Sequence, residues 1–278
     1  MSTSPRITVI TPSYNQGAFL EQTILSVLGQ NYPNLEYFIF DGGSTDNSVE
    51  IIKKYQNRLA FWISEKDGGQ AQAINRGFSM ATGDIIGWLN SDDLYMPGVL
   101  EKIASCFTST EEKVVFGNCI NFWEGKPSSV SGSNVSRWHK TLDLSLVDYI
   151  IQPSSFWSRS TLEKVGPLNE SYTYVFDWEW FLRAKLLGVS LIPIDSIISM
   201  YRFHQNHKSG SGGARRLQEI LEIYAKNHEP RVSKALQRLF WLRKTLPGSI
   251  VKRNKWVYRV FFSRLLSYSE YLSVHRVN

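Results

Sequence analysis

The chain has 278 residues, of which 42% are hydrophobic and 20% charged, and this composition excludes a disordered, collagen-like or coiled-coil protein. Its length suits one large domain or a domain with an appendage. Two cysteines exclude a disulfide framework, and no apolar run reaches the roughly 18 residues of a membrane-spanning helix. No secretory signal is evident, so we expect a cytoplasmic protein, soluble or peripheral at the inner face of the plasma membrane.

The net charge of +6 is concentrated towards the C-terminal end. Residues 229–278 contain eleven Lys or Arg against two Glu, so the rest of the chain carries net negative charge. Cationic and aromatic side chains mixed in this way favour an anionic membrane surface as partner. The alternative is a set of helices that pack on the domain or form a dimer contact, and the oligomeric state is left open. No nucleic-acid-binding module is present, so no nucleic-acid partner is expected.

Apolar strands and amphipathic helices alternate along the first 120 residues. Strands are predicted at 7–12, 37–40, 59–63, 84–89 and 114–116, and helices at 19–28, 70–81, from a cap within 44–47 to about 55, and from Pro97 onward. Strands that are apolar almost throughout are typical of a parallel sheet covered on both faces. The pattern therefore predicts an α/β fold.

The pattern is less regular beyond residue 120. Ser128–Ser136 is polar and is predicted to be a surface loop, while helices are predicted over 177–187 and around Leu217–Tyr224. We expect an α/β domain at 1–212, with a ligand-binding half at 1–120 and a second half at 121–212. Residues 213–278 would form an amphipathic, basic helical extension.

Three acidic loops follow strands of the predicted sheet, at Asp41–Asp46, Glu65–Gln70 and Asn90–Asp93. Ligands in such sheets bind beyond the carboxyl ends of the strands, where these loops would lie together. Adjacent carboxylates at the end of a buried strand favour a divalent cation such as Mg²⁺ or Mn²⁺, which commonly bridges carboxylates to phosphates. Each loop by itself could equally be a turn with a helix cap. Taken together, the loops predict a site for a metal-bridged nucleotide.

Two other nucleotide-binding motifs are missing. Neither the P-loop pattern Gly-x-x-x-x-Gly-Lys-Ser/Thr nor the dinucleotide pattern Gly-x-Gly-x-x-Gly follows the first strand. Kinase-like and dinucleotide-dependent functions are therefore excluded.

The loop motifs resemble those of the family 2 glycosyltransferases. The resemblance is carried by Thr11–Asn15, Asp41–Asp46, Asp67–Gln70 and Asn90–Asp93, with Met96-Pro97-Gly98 after the last of these, and it extends over about residues 5–208. It implies the GT-A fold, which is a Rossmann-like, mixed but mostly parallel sheet flanked by helices. It also implies an inverting transfer of a sugar from a nucleotide-diphosphate donor with the help of a divalent metal. The expected donor is a UDP-sugar, with GDP- and dTDP-sugars as alternatives.

The same resemblance assigns residues to the site. Donor binding is implied for Thr11, Pro12, Tyr14, Asn15, Asp41, Asp67, Gln70, Asp92 and Arg202, of which Arg202 would meet the diphosphate. The metal would be held by Asp93, Asp92 and His204. Asp177 stands at the position of the catalytic base, which takes the proton of the acceptor hydroxyl. Glu179 is the rival base, and Gln152, Trp178 and Glu179 would border the acceptor.

The acceptor is expected to be a saccharide or a lipid-linked molecule of polysaccharide or glycolipid biosynthesis. One alternative function is a sugar nucleotidyltransferase, which would usually show a cationic Gly-rich loop after the first strand, where this chain has none. The other alternative is a non-catalytic sugar- or membrane-binding protein on the same fold. The joint presence of Asp41, Asp92, Asp93 and Asp177 argues against that alternative.

Overall fold

In the computed structural model, residues 4–109, 111–205, 208 and 213–227 are described. Within them a single sheet contains β1 (Ile7–Ser13), β2 (Leu35–Asp41), β3 (Phe61–Ser64), β4 (Ile85–Trp88), β5 (Leu94–Tyr95), β6 (Lys113–Trp123), β7 (Lys126–Gly132), β8 (Ser155–Ser158) and β9 (Ser190–Phe203). The spatial order is β3-β2-β1-β4-β8-β6-β9-β5, and β7 pairs with β6. The strands β1 to β4 run parallel to one another, as expected for strands joined by helices.

Helices connect these strands. They are α1 (Gly17–Leu28), α2 (Ser48–Tyr55), α3 (Gln70–Met80), α4 (Val99–Ser105), α5 (Val135–Thr141), α6 (Arg159–Val165), α7 (Phe176–Leu186) and α8 (Gly213–Asn227), with short 3-10 segments at Gln56–Arg58 and Gln152–Ser154. The alternation of strands and helices confirms the predicted α/β class.

The second half of the sheet is mixed. β8 lies antiparallel between β4 and β6, whereas β9 runs parallel to β6. The predicted loop at Ser128–Ser136 is partly wrong, because β7 occupies Lys126–Gly132 and pairs with β6. The side chains described at 129–131 are all exposed, so this part of β7 shows no one-sided hydrophobic alternation that could reveal it.

The main core lies between the sheet and the helices α1, α2 and α4. Its fully buried members include Ile7, Val9, Ile24, Ile52 and Phe156.

The helix α3 packs closely against β1 at Gly77. A Cβ added to Gly77 would lie 2.7 Å from the Ile10 side chain, so only glycine allows this contact without a shift. Close packing at this point brings the start of α3 to the carboxyl ends of the strands.

A carboxylate joins three segments at the opposite, amino-terminal end of the sheet. Glu36 accepts hydrogen bonds from the Thr8 hydroxyl at 2.6 Å and from the Thr82 hydroxyl and N–H at 2.5 and 2.8 Å. Partial burial pushes the pKa of Glu36 upward. The hydrogen bonds and the charge of Arg6 outweigh that effect, so this pKa lies below its ordinary value.

Contacts divide the chain into two units, and the described residues of the first are 4–136 and 150–205. The second unit contains 137–149, 208 and 213–227. Within it the Tyr224 hydroxyl donates to the Leu146 carbonyl at 2.9 Å, and the α8 side chains Ile223 and Tyr224 are buried. Residues 229–278, including the predicted basic membrane-binding segment, lie outside the described residues. The predicted division at 212/213 stays a prediction.

No helix in the described part of the chain combines the length and the apolar character needed to cross a membrane.

Candidate active site

Asp41 ends β2 and is held rigidly by its own loop. Its carboxylate accepts from the Ser44 hydroxyl at 2.5 Å, the Ser44 N–H at 2.9 Å and the Ser64 hydroxyl at 2.7 Å. The residue is only 2% exposed. Three donors compensate the burial of this carboxylate and fix its direction at the end of the sheet.

The loop after β1 is tied to the loop after β2. Asn15, at φ 51°, donates its N–H to the Ser44 hydroxyl at 2.7 Å and accepts from the Thr45 N–H at 2.8 Å. Tyr14 beside it is 61% exposed. Thr11 is buried, and its hydroxyl lies 3.0 Å from that of Tyr37.

Pro12 and Asp67 are the remaining predicted donor-binding residues of the loops after β1 and β3. Pro12 is buried, like Thr11, so the solvent-facing part of the β1 loop is Tyr14 and Asn15. Asp67, on the loop after β3, lies against Gly42, where an added Cβ would be 3.1 Å from the carboxylate. Asp67 also accepts from the Gly69 N–H at 2.8 Å. The three loops therefore meet at one end of the sheet, as predicted.

The acidic turn after β4 carries a buried carboxylate. Asp93 is 1% exposed, and its Oδ1 accepts from the Arg202 N–H at 3.1 Å. Its other oxygen lies 3.4 Å from the Asn90 amide nitrogen. Burial raises the pKa of Asp93 well above its ordinary value, and the charge of Asp92 raises it further.

Asp92, in contrast, meets a histidine that directly follows β9. Its Oδ2 lies 3.1 Å from His204 Nε2, although the two residues are 112 positions apart. The His204 ring also packs against Phe19 of α1, with ring centroids 4.6 Å apart. The predicted ligands Asp92 and His204 are thus brought together.

Asp93 faces other partners in this structure, and its role as a metal ligand stays a prediction. Among the residues that the structure describes, no group of three or more His, Cys, Asp or Glu side chains could hold a metal ion. The Asp93 oxygens lie near the Arg202 N–H and the Asn90 amide nitrogen.

A chain of amide side chains links Gln70, predicted to bind the donor, with Gln152, predicted to border the acceptor. Gln70 donates to Asn90 at 2.7 Å, Asn90 donates to Gln152 at 3.0 Å, and Gln152 donates to the Trp88 carbonyl at 2.7 Å. The sequence analysis places Asn90 in the Asn90–Asp93 loop but predicts no function for it. Its bridging position depends on the fold, because Gln70 and Gln152 lie 82 positions apart in the sequence.

The first turn of α7 carries the predicted base. Asp177 is partly buried, and its Oδ1 accepts the Trp178 N–H at 2.8 Å. Phe176 packs near Trp88 at the end of β4, with ring centroids 6.4 Å apart, so the start of α7 lies beside the acidic turn.

The neighbours of Asp177 make structural contacts. Glu179 forms a two-bond ion pair with Arg183, at 3.0 and 2.9 Å. Trp178 is 4% exposed and therefore presents little surface in this structure. Trp180 is fully buried and donates to the Gly166 carbonyl at 2.8 Å. Acceptor contacts by Trp178 and Glu179 stay predictions.

Comparison with known proteins identifies the family. The family model described as glycosyl transferase family 2 matches residues 8–155, more than half of the chain. The chain belongs to glycosyl transferase family 2. An uncharacterised glycosyltransferase of Nostoc sp. strain PCC 7120 is 30% identical to this family 2 chain over 221 residues, which is 74% of this chain and 68% of the relative. The glycosyltransferase GlyG of Streptococcus pneumoniae is 37% identical over 44% of this chain and 41% of its own length. The protein is therefore a glycosyltransferase.

Solved structures confirm the GT-A fold of this family 2 glycosyltransferase. S. aureus TarS 1–349 in complex with UDP-GlcNAc has a TM-score of 0.64 at 19% identity, covering 82% of this chain and 69% of that one. The mannosyltransferase PcManGT of Pyrobaculum calidifontis, in complex with GDP-Man and Mn²⁺, has a TM-score of 0.63 at 20% identity. The second match covers 81% of this chain and 64% of that one.

Proposed function

We propose that this glycosyltransferase moves a sugar from a UDP-sugar to a hydroxyl of a saccharide or lipid-linked acceptor, with inversion at the anomeric carbon. The observation that carries the proposal is the Asp92–His204 pair at the acidic turn, at the same end of the sheet as the rigid carboxylate of Asp41. Structural neighbours that bind UDP-GlcNAc or GDP-Man support a nucleotide-sugar donor.

The loops after β1, β2 and β3 would hold the nucleoside. We assign the exposed Tyr14 and Asn15 to the base pocket. Asp41 would accept a hydrogen bond from the base or ribose, because three protein donors already fix its orientation. Asp67 would close the same pocket from the opposite loop.

The residues at the acidic turn fit a divalent cation. Asp92 supplies carboxylate oxygen and His204 supplies an imidazole nitrogen, and the facing atoms lie 3.1 Å apart. Two such ligands leave room for phosphate oxygens and water, which Mn²⁺ or Mg²⁺ also accept. When bound, the cation would neutralise the diphosphate leaving group.

Asp177 would act as the base. It would take the proton from the acceptor hydroxyl while that oxygen forms a bond to the anomeric carbon. The bond from that carbon to the diphosphate breaks at the same time, and the nucleoside diphosphate leaves with the electron pair. Because attack and departure take place on opposite faces of the sugar, the anomeric configuration inverts.

The donor site is tested by calorimetric titration of UDP, GDP and dTDP with and without Mn²⁺. We expect UDP to bind, Mn²⁺ to tighten binding, and Asp92→Ala to abolish the gain from the metal. Asp84→Ala is the matched control, because Asp84 lies at the opposite end of β4, where its carboxylate accepts the Arg6 N–H at 2.8 Å. No nucleotide binding under any condition, or loss of the metal effect in both variants, would refute the assignment.

The base is tested with Asp177→Asn, which keeps an oxygen for the Trp178 N–H. We expect unchanged UDP affinity and a loss in transfer rate of about 100-fold or more, typical of removing a general base. Glu179→Gln provides the comparison with the rival base. Transfer that is lost only in Glu179→Gln would reverse the assignment, and the anomeric coupling constant of the product measures inversion directly.

The proposed function also includes binding to a membrane surface through residues 229–278. Residues 229–278 combine eleven cations with several aromatic residues, a pattern that suits an anionic lipid surface. The full chain should sediment with vesicles containing phosphatidylserine and remain in solution with neutral phosphatidylcholine vesicles. Equal behaviour with both vesicles would contradict this part of the proposal.

A further inference from the structure

We propose that Arg202 is a positioning residue that locks the Asp92-Asp93 turn against the end of β9. The inference rests on the proposed function, since it concerns the nucleotide and metal affinity of that turn. It gives Arg202 a role different from the diphosphate contact expected from the sequence.

The guanidinium of Arg202 is enclosed by protein. Its side chain is 3% exposed and lies between the rings of Phe19 and Phe122, each centred 4.8 Å from its Cζ. The three nitrogens each have a partner. Nε donates to the Asp92 carbonyl at 2.9 Å, Nη2 donates to Gln22 at 2.7 Å, and Nη1 is paired with the Glu124 carboxylate.

The same residue also holds the second aspartate through its backbone. The Arg202 N–H donates to Asp93 Oδ1 at 3.1 Å. Two residues later, His204 meets the Asp92 carboxylate. A single strand end therefore fixes the main chain of Asp92, the side chain of Asp93 and the imidazole beside Asp92.

Only arginine fits these contacts. A planar guanidinium can stack on rings and donate in three directions within its plane, whereas a lysine ammonium is a point charge without a stacking face. The distal partners lie on two other elements, Gln22 on α1 and Glu124 after β6. The clamp thus ties the acidic turn to α1 and to the β6–β7 hairpin. Since its donors are directed at protein groups, we assign Arg202 an effect through Asp92 rather than through donor contact.

The test measures UDP affinity by calorimetry with saturating Mn²⁺ and with EDTA, on the full chain. The decisive quantity is the ratio of the two affinities. We expect Arg202→Lys to lower this ratio by about tenfold or more, as is typical when groups that orient metal ligands are lost. The affinity in EDTA should change much less.

Arg183→Lys is the matched control for general destabilisation. Arg183 also bonds two backbone carbonyls and a carboxylate, those of Val165, Pro167 and Glu179, but away from the acidic turn. Thermal unfolding should show lower stability for both variants, whereas only Arg202→Lys should lower the affinity ratio.

Three results would overturn the proposal. If Arg202→Lys has the same ratio of UDP affinities with Mn²⁺ and with EDTA as the wild type, the role of Arg202 is purely structural. Equal loss of affinity with Mn²⁺ and with EDTA would indicate direct contact with the diphosphate. Absence of UDP binding or of any metal effect in the wild type would overturn the proposed function together with this inference.

A second variant covers the case in which Arg202→Lys fails to fold. Glu124→Ala removes an exposed partner of the clamp, a carboxylate whose side chain is 48% exposed, and should fold normally. We expect a smaller loss in the same affinity ratio, and an unchanged ratio would refute the clamp.

Discussion

Replacing Asn90 by aspartate tests the amide network that joins Gln70 to Gln152. In the structure Asn90 accepts from Gln70 at 2.7 Å and donates to Gln152 at 3.0 Å. The nearly isosteric Asn90→Asp keeps the first bond, abolishes the second and removes the long 3.4 Å contact of the Asn90 amide with Asp93. It also places a carboxylate oxygen opposite the carbonyl oxygen of Gln152, a residue that is 7% exposed. Gln152 cannot simply turn its amide over, because its NH₂ group donates to the Trp88 carbonyl.

The magnitude follows from these contacts. Losing one neutral hydrogen bond costs about 1 kcal/mol, and leaving a buried acceptor unsatisfied costs about 1–3 kcal/mol more. The free energy of unfolding should fall by about 2–4 kcal/mol in total. For a folded unit of about 200 residues, this corresponds to a decrease in Tm of about 5–15 °C.

Scanning calorimetry in EDTA at pH 7 is the measurement. Asn34→Asp is the control, because Asn34 accepts from the cationic Arg6 at 3.2 Å and its amide donates to the Ser4 carbonyl at 3.0 Å. The retained attraction to arginine should limit the control's effect to about 1 kcal/mol. A Tm for Asn90→Asp within 1 °C of the wild type, on the order of a few tenths of a kcal/mol, would refute the reasoning.

The pH dependence of the same variant provides a second check. Burial and the neighbouring aspartates disfavour the charged form of the introduced carboxyl. The substitution therefore lowers the free energy of unfolding most at a pH where this carboxyl is ionised. In the unfolded chain an aspartate carboxyl has a pKa of about 3.9. Below that pH the introduced carboxyl is protonated in both the folded and the unfolded state, and in the folded state it can donate to Gln152. The difference in stability between variant and wild type should therefore narrow as the pH falls from 7 towards 4.

Three further outcomes are expected. Because the pKa of Glu36 lies below its ordinary value of 4.5, its contribution to stability is present above that pH and is lost as the pH falls through the lower, folded value. In urea unfolding, Glu36→Gln should accordingly have a lower free energy of unfolding than the wild type, and this difference should decrease in acid. A difference that does not depend on pH would contradict this. In native protein a thiol reagent should modify the partly buried Cys106 and spare Cys119, whose burial raises its thiol pKa to about 12. Rapid modification of both thiols before unfolding would count against the buried position of Cys119. Gly77→Ala should lower the free energy of unfolding by about 1–3 kcal/mol, because its methyl group would overlap the side chain of Ile10. A stabilised Gly77→Ala variant in urea unfolding would show that the contact relaxes freely.

The parallel half of the sheet could be predicted from the sequence. Its strands are continuous apolar runs and its helices have clear periodicity, so β1 and α3 were located to within one or two residues. The strand order around β8 and β9 could not be predicted, because it depends on pairing between distant segments. The half-exposed β9 and the exposed β7 have no one-sided apolar pattern that would reveal them.

The candidate site was predicted as a set of loops but not as a set of contacts. Sequence order placed Asp41 and Asp92 at one end of the sheet, since parallel strands end together. The inward direction of Asp93 and the enclosure of Arg202 follow from the register of β9 against β6, in which Phe122 pairs with Arg202. Neither the register nor the bridging role of Asn90 leaves a signal in local sequence.

The pairing of Asp92 with His204 has a consequence for the order of biosynthesis. A chain emerging from the ribosome can pair β1, β2, β3 and β4 as soon as residue 88 is available, because these strands are near neighbours in sequence. The acidic turn then remains without Arg202 and His204 until more than 100 further residues have been added. The nascent chain can therefore hold the loops after β1, β2 and β3 together before its acidic turn is complete. The end of β9 docks later, and this long-range closure is the step that completes the acidic turn.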